Sequence, residues 1–584
     1  MKVSTAVLAN AKEPEFSFGN FKLWPDGTFL RDQTQIHLPP KEMAALRFLL
    51  THAGQVVTPA QLKQALWGDV HVTSDSVPRC LSSLRAALEP EQCIQTIYKR
   101  GYRLIGPVSR SGSEARTLWH VAIMPFATGH NVAEHLGPAI AEEVTTRLTA
   151  AGPSWISVLA RDSVFNLAHR GLTAIQVGEA LHADIILAGT LVAMPTHYRL
   201  RAEMIRVEDG IQIWVEDLLV AQDLLLDLES QLVQRLIFRL GGECSAGPGA
   251  PLKASVRADA YEAFLRGRHE CQTHERHRMQ DGMQHLLEAT ELDPSLVSAQ
   301  IDLGDLCVTQ EVYGFLSPDA AARQIRRIGE SISDITLDAP ALLPTLGWIN
   351  FHVDRDLAGA LDLFSASAHL PHTASTTRLR VMFALSRHRF DEAVEWLQSA
   401  LSIDPFAPWL HVLLAWTHHL AGRQASSVES VEKALALFPD HEATQACGAL
   451  ILSFNGHAER GAKLAQDLVR RTPYFDIATA IHAYAIACNG QRDEACGILE
   501  RLQWLSRERF VLRSFLPAAF AALGSVDEAI AELQAADDAR CPWFFQMLAD
   551  PRLESLHGRA EFELMRESLE KLEFAAAENL EYQT

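Results

Sequence analysis

Residues 74–88 read Ser-Asp-Ser-Val-Pro-Arg-Cys-Leu-Ser-Ser-Leu-Arg-Ala-Ala-Leu. Val77, Leu81, Leu84 and Leu88 recur at spacings of four, three and four, which predicts an amphipathic helix with those residues on its inner face. The opposite face carries Ser76, Arg79, Ser82, Ser83 and Ala86. Small polar side chains around one arginine suit a helix that enters a DNA major groove, because bulk there would hold the backbone away from base edges. Pro78 falls in the first turn or so, where its missing N–H is tolerated. Arg85 lies nearer the flank, positioned either for phosphate or for an i+4 pair with Glu89. Cys80 borders the apolar stripe and reads as a packed core thiol.

Working outward, FSFGNFKLWPDGTFLRDQTQIHLPP from Phe16 predicts short strands broken at Gly19-Asn20 and at Pro25-Asp26-Gly27. From Pro40, Met43, Leu46, Leu49 and Leu50 share a helical face that ends at His52-Ala53-Gly54. Thr58-Pro59 places an N-cap residue before a proline at the first helical position, with Leu62, Ala65 and Leu66 as the apolar face up to Trp67-Gly68. Ile94 to Ile105 reads as a hairpin with Lys99-Arg100-Gly101 at its tip, anchored by Tyr98, Tyr102 and Leu104. A basic tip containing glycine suits close approach to phosphate or minor groove.

The opening sheet, TPxxLxxxLWG, VPRCLSSLRAAL and TIYKRGYRL together resemble the DNA-binding domain of the OmpR/PhoB family over about 90 residues, here 16–106. The resemblance implies a winged helix-turn-helix on double-stranded DNA, with a recognition helix at about Ser74 to Leu88 and a wing at Lys99 and Arg100. Thr58 and Tyr102 complete the expected DNA-facing set. It also implies an RNA polymerase contact in the loop Trp67, Gly68, Asp69, Val70, His71 and on to Thr73. No receiver domain with a phosphoacceptor aspartate is read in this sequence, so input is expected from elsewhere.

The formal charge is −20, which excludes a surface that clings everywhere to nucleic acid or anionic membrane. Between Glu15 and Gly106 there are ten Lys+Arg against eight Asp+Glu, so this segment stands out from an acidic remainder. Near +2 it is a weak electrostatic reader alone, and a second protomer or RNA polymerase is expected to complete its hold. Nine scattered cysteines without a C-x-x-C pair suggest free thiols in the cytoplasm. No apolar run is long enough for a membrane span.

Residues 107–117 read as a linker after a disordered 1–15. VAIMPF, the helical GPAIAEEVTTRLTAAG, WISVL, a second helix pair and three strands then give a mixed α/β order over 118–240. This pattern resembles the TolB-like N-terminal domain, a likeness of fold that names no ligand. Motifs for a P-loop, a dinucleotide fold, a nucleophile elbow or a zinc protease are absent, so no enzyme and no cofactor is expected. Glu142 and Glu143 point about 100° apart on a helix and read as a solvated edge.

A linker at 241–257 leads to the clearest arithmetic in the chain. Pro371, Pro405, Pro439 and Pro473 are 34 residues apart, as are Gly422, Gly456, Gly490 and Gly524, with His388 one period earlier. Thirty-four is the tetratricopeptide length, so 258–584 is expected to be an all-α solenoid, irregular between 305 and 350, offering a concave face to a protein or peptide partner. His269, Cys271, His274 and His277 do not share a helical face, and no metal site is expected.

The order of winged helix, TolB-like domain and tetratricopeptide repeats resembles the HilA-type invasion-gene regulators. It implies a multidomain transcription regulator, an activator of virulence or secretion genes, possible as a homo-oligomer. The rival reading is a repeat scaffold or adaptor whose winged helix binds protein.

Overall fold

The computed structural model describes residues 16–18, 20–23, 28–31, 34–51, 57–67, 76–88, 93–97, 101–104, 108–109, 118–151, 155–240, 256–271, 276–332, 339–368, 370 and 374–581. The chain divides into two units, residues 1–118 and 119–584.

In the first unit, alternation of phenylalanines builds an antiparallel sheet. Strands β1 (Phe16–Phe18), β2 (Phe21–Leu23), β3 (Phe29–Arg31) and β4 (Thr34–Gln35) pair in sequence. Phe18, Phe21 and Phe29 stack on one another, with the Phe21 centroid 5.2 Å from Phe18 and 5.5 Å from Phe29 and the latter two 6.2 Å apart. Helices α1 (Pro40–Thr51), α2 (Pro59–Trp67) and α3 (Ser76–Leu88) follow, then the hairpin β5 (Ile94–Ile97) and β6 (Gly101–Leu104). Strand β7 (Val108–Ser109) returns to pair with β1, so the segment read as linker from 107 begins inside the sheet. Leu46, Leu49, Leu62, Leu81, Leu84 and Leu88 form the common core. Ala65, expected on that face, is exposed.

The second unit opens with β8 (Trp119–Ile123), β9 (Ala127–Thr128), α4 (Leu136–Ala151), β10 (Ile156–Val158), α5 (Arg161–His169) and α6 (Ala174–Ala180). Strands β11 (Ile185–Ala193), β12 (His197–Arg206) and β13 (Gln212–Ala221) complete it, followed by α7 (Leu225–Arg239). The strand order is β10-β8-β11-β12-β13, parallel through β11 and antiparallel beyond.

Helices α8 (Ala258–Cys271) and α9 (Arg276–Leu292) begin the solenoid, which runs in helix pairs such as Phe390–Ile403 after Ala374–Ser386 and Gln424–Leu437 after Pro408–Leu420. The 34-residue period has a backbone cause. Gly422, Gly456, Gly490 and Gly524 turn between paired helices at φ of 70, 86, 84 and 80°, and His388 adopts 57° in the same place. Gly558, one more period on, does likewise at 82°. A Cβ at any of these five glycines meets nothing within 4 Å, so the left-handed backbone, not space, selects glycine.

The α/β layer and the solenoid share one core rather than sitting as beads on a linker. Glu143, expected on a solvated edge, is buried. It accepts from Arg147 Nε at 2.9 Å and from Arg268 Nη1 of α8 at 2.7 Å. Burial alone would raise its pKa, but Arg268 and Arg147 hold it below the ordinary carboxylate value. Glu229 of α7, buried beside Glu143, is pushed well above that value and accepts the Tyr261 hydroxyl at 2.6 Å. Glu142 lies 3.4 Å from Arg161. These carboxylates tie α4 and α7 to α8 and leave no exposed acid pair.

The C-terminal part of the chain packs on the middle repeats. Residues 541–552 of the chain's own C-terminal part lie against its helices, with Trp543 Nε1 donating to Val312 O at 2.9 Å and Trp416 Nε1 to Gln546 Oε1 at 2.9 Å. His419 stands 3.2 Å from Asp550. Helix Glu442–Phe454 is buried without a break from Ala443 through Ser453.

Candidate nucleic-acid interface

Val77, Cys80, Leu81, Leu84 and Leu88 turn α3 inward, as their spacing predicts. Pro78, Arg79, Ser82, Ser83 and Ala86 are exposed on its outer side, and Ser76 is half-buried at its start. Arg79 makes no hydrogen bond or ion pair among the described residues, so its guanidinium and the two serine hydroxyls share one open helical face. The face is narrow and free of bulk, the shape a major groove admits. Burial, with Glu42 nearby, pushes the Cys80 thiol up to about 11, which agrees with a packed core thiol.

Arg85 is used differently. Its Nε donates to Ile94 O at 3.1 Å and its Nη2 to Thr96 Oγ1 at 2.8 Å, while the guanidinium lies 5.8 Å from the Tyr102 ring centroid. It braces α3 against the wing strand β5, while Glu89 lies outside the described residues. Tyr102 is half-buried, and its backbone exchanges hydrogen bonds with Val57 at 2.7 and 2.8 Å. Thr58 caps α2. Its Oγ1 accepts from Gln61 N at 3.2 Å while Gln61 Oε1 accepts from Thr58 N at 2.9 Å, a reciprocal capping box. Three of the residues expected to face DNA therefore make contacts within the domain.

Gly101 opens β6 at φ 144°, and a Cβ there would stand 2.1 Å from Val57 O. The glycine of the wing serves a close backbone approach inside the domain. Lys99 and Arg100, with Gly68, Asp69, Val70 and His71, lie outside the described residues, as does the side chain of Trp67, whose backbone ends α2.

Sequence reasoning missed two clamps. Arg31 Nη2 donates to Ala87 O at the end of α3 at 2.8 Å, with its guanidinium 4.9 Å from the Phe21 ring centroid. Lys41 Nζ donates to Leu66 O at the end of α2. Both satisfy helix C-terminal carbonyls from distant strands or helices, a pairing that local periodicity does not encode. Of the metal-like cluster, His274 lies outside the described residues, and His269 packs its ring 6.1 Å from that of His135. Among the described residues no group of three or more His, Cys, Asp or Glu is placed to hold a metal, and no helix is long and apolar enough to cross a membrane.

Residues 33–104 match the family model "Transcriptional regulatory protein, C terminal". The transcriptional regulator HilA of Salmonella typhimurium is 24% identical over 558 residues, covering 93% of this chain and 98% of that protein. Among solved structures, the DNA-binding domain of E. coli CadC is 29% identical, covering 17% of this chain and 99% of that one at a TM-score of 0.17. The tetratricopeptide protein YrrB is 17% identical, covering 31% of this chain and 89% of that one at a TM-score of 0.20. The chain thus carries a DNA-binding domain of transcriptional regulatory type near its N-terminal end and is similar to the HilA regulators over nearly its whole length.

Proposed function

We propose that the protein is a cytoplasmic, sequence-specific transcription activator that reads duplex DNA with the outer face of α3. The carrying observation is that face itself, with Arg79, Ser82 and Ser83 exposed on a helix whose other side is wholly committed to the core. In this reading Arg79 reaches a base edge, Ser76, Ser82 and Ser83 contact bases or phosphate, and Lys99 and Arg100 hold the flanking backbone. Arg85, Thr58 and Tyr102 position that face. The loop Trp67 to His71 meets RNA polymerase, and the surfaces of the second unit receive the signal or protein partner. The similarity to HilA regulators supports the assignment to transcription.

The test uses the full chain and duplexes that it enriches from a random pool. Arg79→Ala is expected to weaken binding to the enriched sequence by about 10-fold or more and to flatten the preference at one position. Raising salt is expected to weaken both proteins steeply through counterion release. No enrichment of any duplex, or equal affinity and preference in Arg79→Ala, overturns the reading.

A further inference from the structure

Helix Ala560–Glu581 commits one face to the core of the second unit and leaves another open. Phe562, Met565, Leu569 and Ala576 are buried along the inner face. Arg387 fixes the rotation of the helix by donating Nε and Nη2 to the Glu573 carboxylate at 2.6 and 2.9 Å. Leu564 and Phe574 fall on the side this leaves to solvent and are 59% and 67% exposed.

A single exposed apolar side chain is ordinary on a protein surface. These two belong to a pattern. At ~100° per residue, Leu564, Glu567, Lys571 and Phe574 lie within about 80° of one another, at the alternating spacing of a coiled-coil seam. Glu567 and Lys571 are both exposed, with Lys571 Nζ 3.3 Å from Glu567 Oε2. The stripe therefore reads apolar, acid, base, apolar.

That order is its own complement under a two-fold axis. In a second copy of the helix laid antiparallel, with position 569 of the two copies at the crossing, Leu564 meets the partner's Phe574 and Glu567 meets the partner's Lys571. Symmetry repeats both contacts, so two apolar pairs close the ends of the seam and two ion pairs lie between them. Parallel alignment would set Glu567 on Glu567 and Lys571 on Lys571, which like charge disfavours. Ser568 and Ala575 border the stripe on one side and are small enough for the helices to approach. Glu563 and Glu570 border it on the other side and oppose the approach, which limits the affinity.

We propose that this face is a docking surface for a second copy of the chain, formed by antiparallel pairing of helix Ala560–Glu581 with the same helix of that copy. A contact of this kind is isologous and closes as a dimer rather than a filament. One helix pair lies at the low end of interface size, so the dissociation constant is expected at about 10 µM. The dimer joins two DNA-binding domains in one assembly, the avidity expected for a domain of low charge. The docking itself stands without the DNA reading, and its test contains no DNA.

Sedimentation equilibrium of the full chain from about 1 to about 100 µM brackets that affinity, and the mass is expected to rise from one chain to two. Phe574→Gln is expected to keep the chain monomeric across the range with an unchanged urea midpoint, since the ring is exposed. Glu567→Lys and Lys571→Glu each turn both ion pairs into like-charge pairs, and each is expected to weaken association about tenfold or more. An equimolar mixture of these two variants again opposes unlike charges across the seam and is expected to recover the association of the unmodified chain. The pair within each helix stays broken in the mixture, so recovery reports the contact between copies. An unmodified chain that remains monomeric at the top of the range overturns the proposal. So does a dimer indifferent to Phe574→Gln, which would place the contact elsewhere, or a mixture that associates no better than its components.

Discussion

Arg79 and Arg85 stand on one helix, and the family resemblance places both in the expected DNA-facing set, Arg85 with a pair to Glu89 as its alternative. The structure separates them by what each already touches. Arg79 is exposed without a partner among the described residues, whereas Arg85 donates to Ile94 O and Thr96 Oγ1. Arg79→Ala is accordingly expected to reduce specific DNA affinity by about 1–3 kcal/mol with an unchanged urea midpoint. Arg85→Ala is expected to lower the stability of the first unit by about 1–2 kcal/mol, leaving the Ile94 carbonyl and Thr96 hydroxyl without their donor. Titrating both variants by anisotropy and by urea checks the division, and equal urea midpoints for the two would refute it. Cys80 gives a second outcome at this scale. With its thiol pushed up to about 11 by burial, it should resist maleimide at pH 8 in the folded chain, while the exposed Cys496 reacts, as mass mapping of the labelled peptides would report.

At the scale of elements, what was legible in the sequence is what short-range geometry dictates. The stripe Val77, Leu81, Leu84, Leu88 and the 34-residue glycine period each repeat because a helix face or a left-handed turn repeats. Gly490→Ala tests the second. No atom lies within 4 Å of the added Cβ, so the whole penalty is backbone, about 1–2 kcal/mol, read as a lower denaturation midpoint of the second unit. A Gly497→Ala control, also with open space but at an ordinary helical φ, should be neutral or stabilising. Equal effects of the two would refute the conformational cause. What was not legible depends on partners far along the chain. Arg31 reaching Ala87, Trp543 reaching Val312 and Glu143 lying between Arg147 and Arg268 leave no periodic trace. For that reason Glu143 read as solvated, and the wing glycine read as a DNA contact.

At the scale of the whole second unit, Asp404 shows how one turn residue joins two folds. Its sequence role, with Pro405, is to end a helix, and it does so at the close of Phe390–Ile403. Buried, it also accepts Ser163 N of α5 at 3.1 Å and the Ser163 hydroxyl, while Ser163 Oγ accepts Phe406 N at 2.9 Å. Burial first, then the neighbouring Asp162, raises its pKa from 3.8 to about 7. The native state thus holds this proton more tightly than the unfolded chain does. Its contribution to stability is full below about pH 4 and is lost as pH rises through about 7, where the native carboxyl ionises inside the junction. Asp404→Asn keeps an acceptor for the Ser163 N–H and hydroxyl but cannot ionise. The variant should therefore match the unmodified chain below about pH 4, become progressively more stable than it between about pH 4 and 7, and keep that advantage to about pH 8.5. Urea unfolding of both proteins across that range isolates the effect, because every other titrating group is common to the two. Parallel stability curves would show that the junction between the α/β layer and the repeats is held without regard to the charge on Asp404, and a gap that opens toward low pH would reverse the sign argued from its burial.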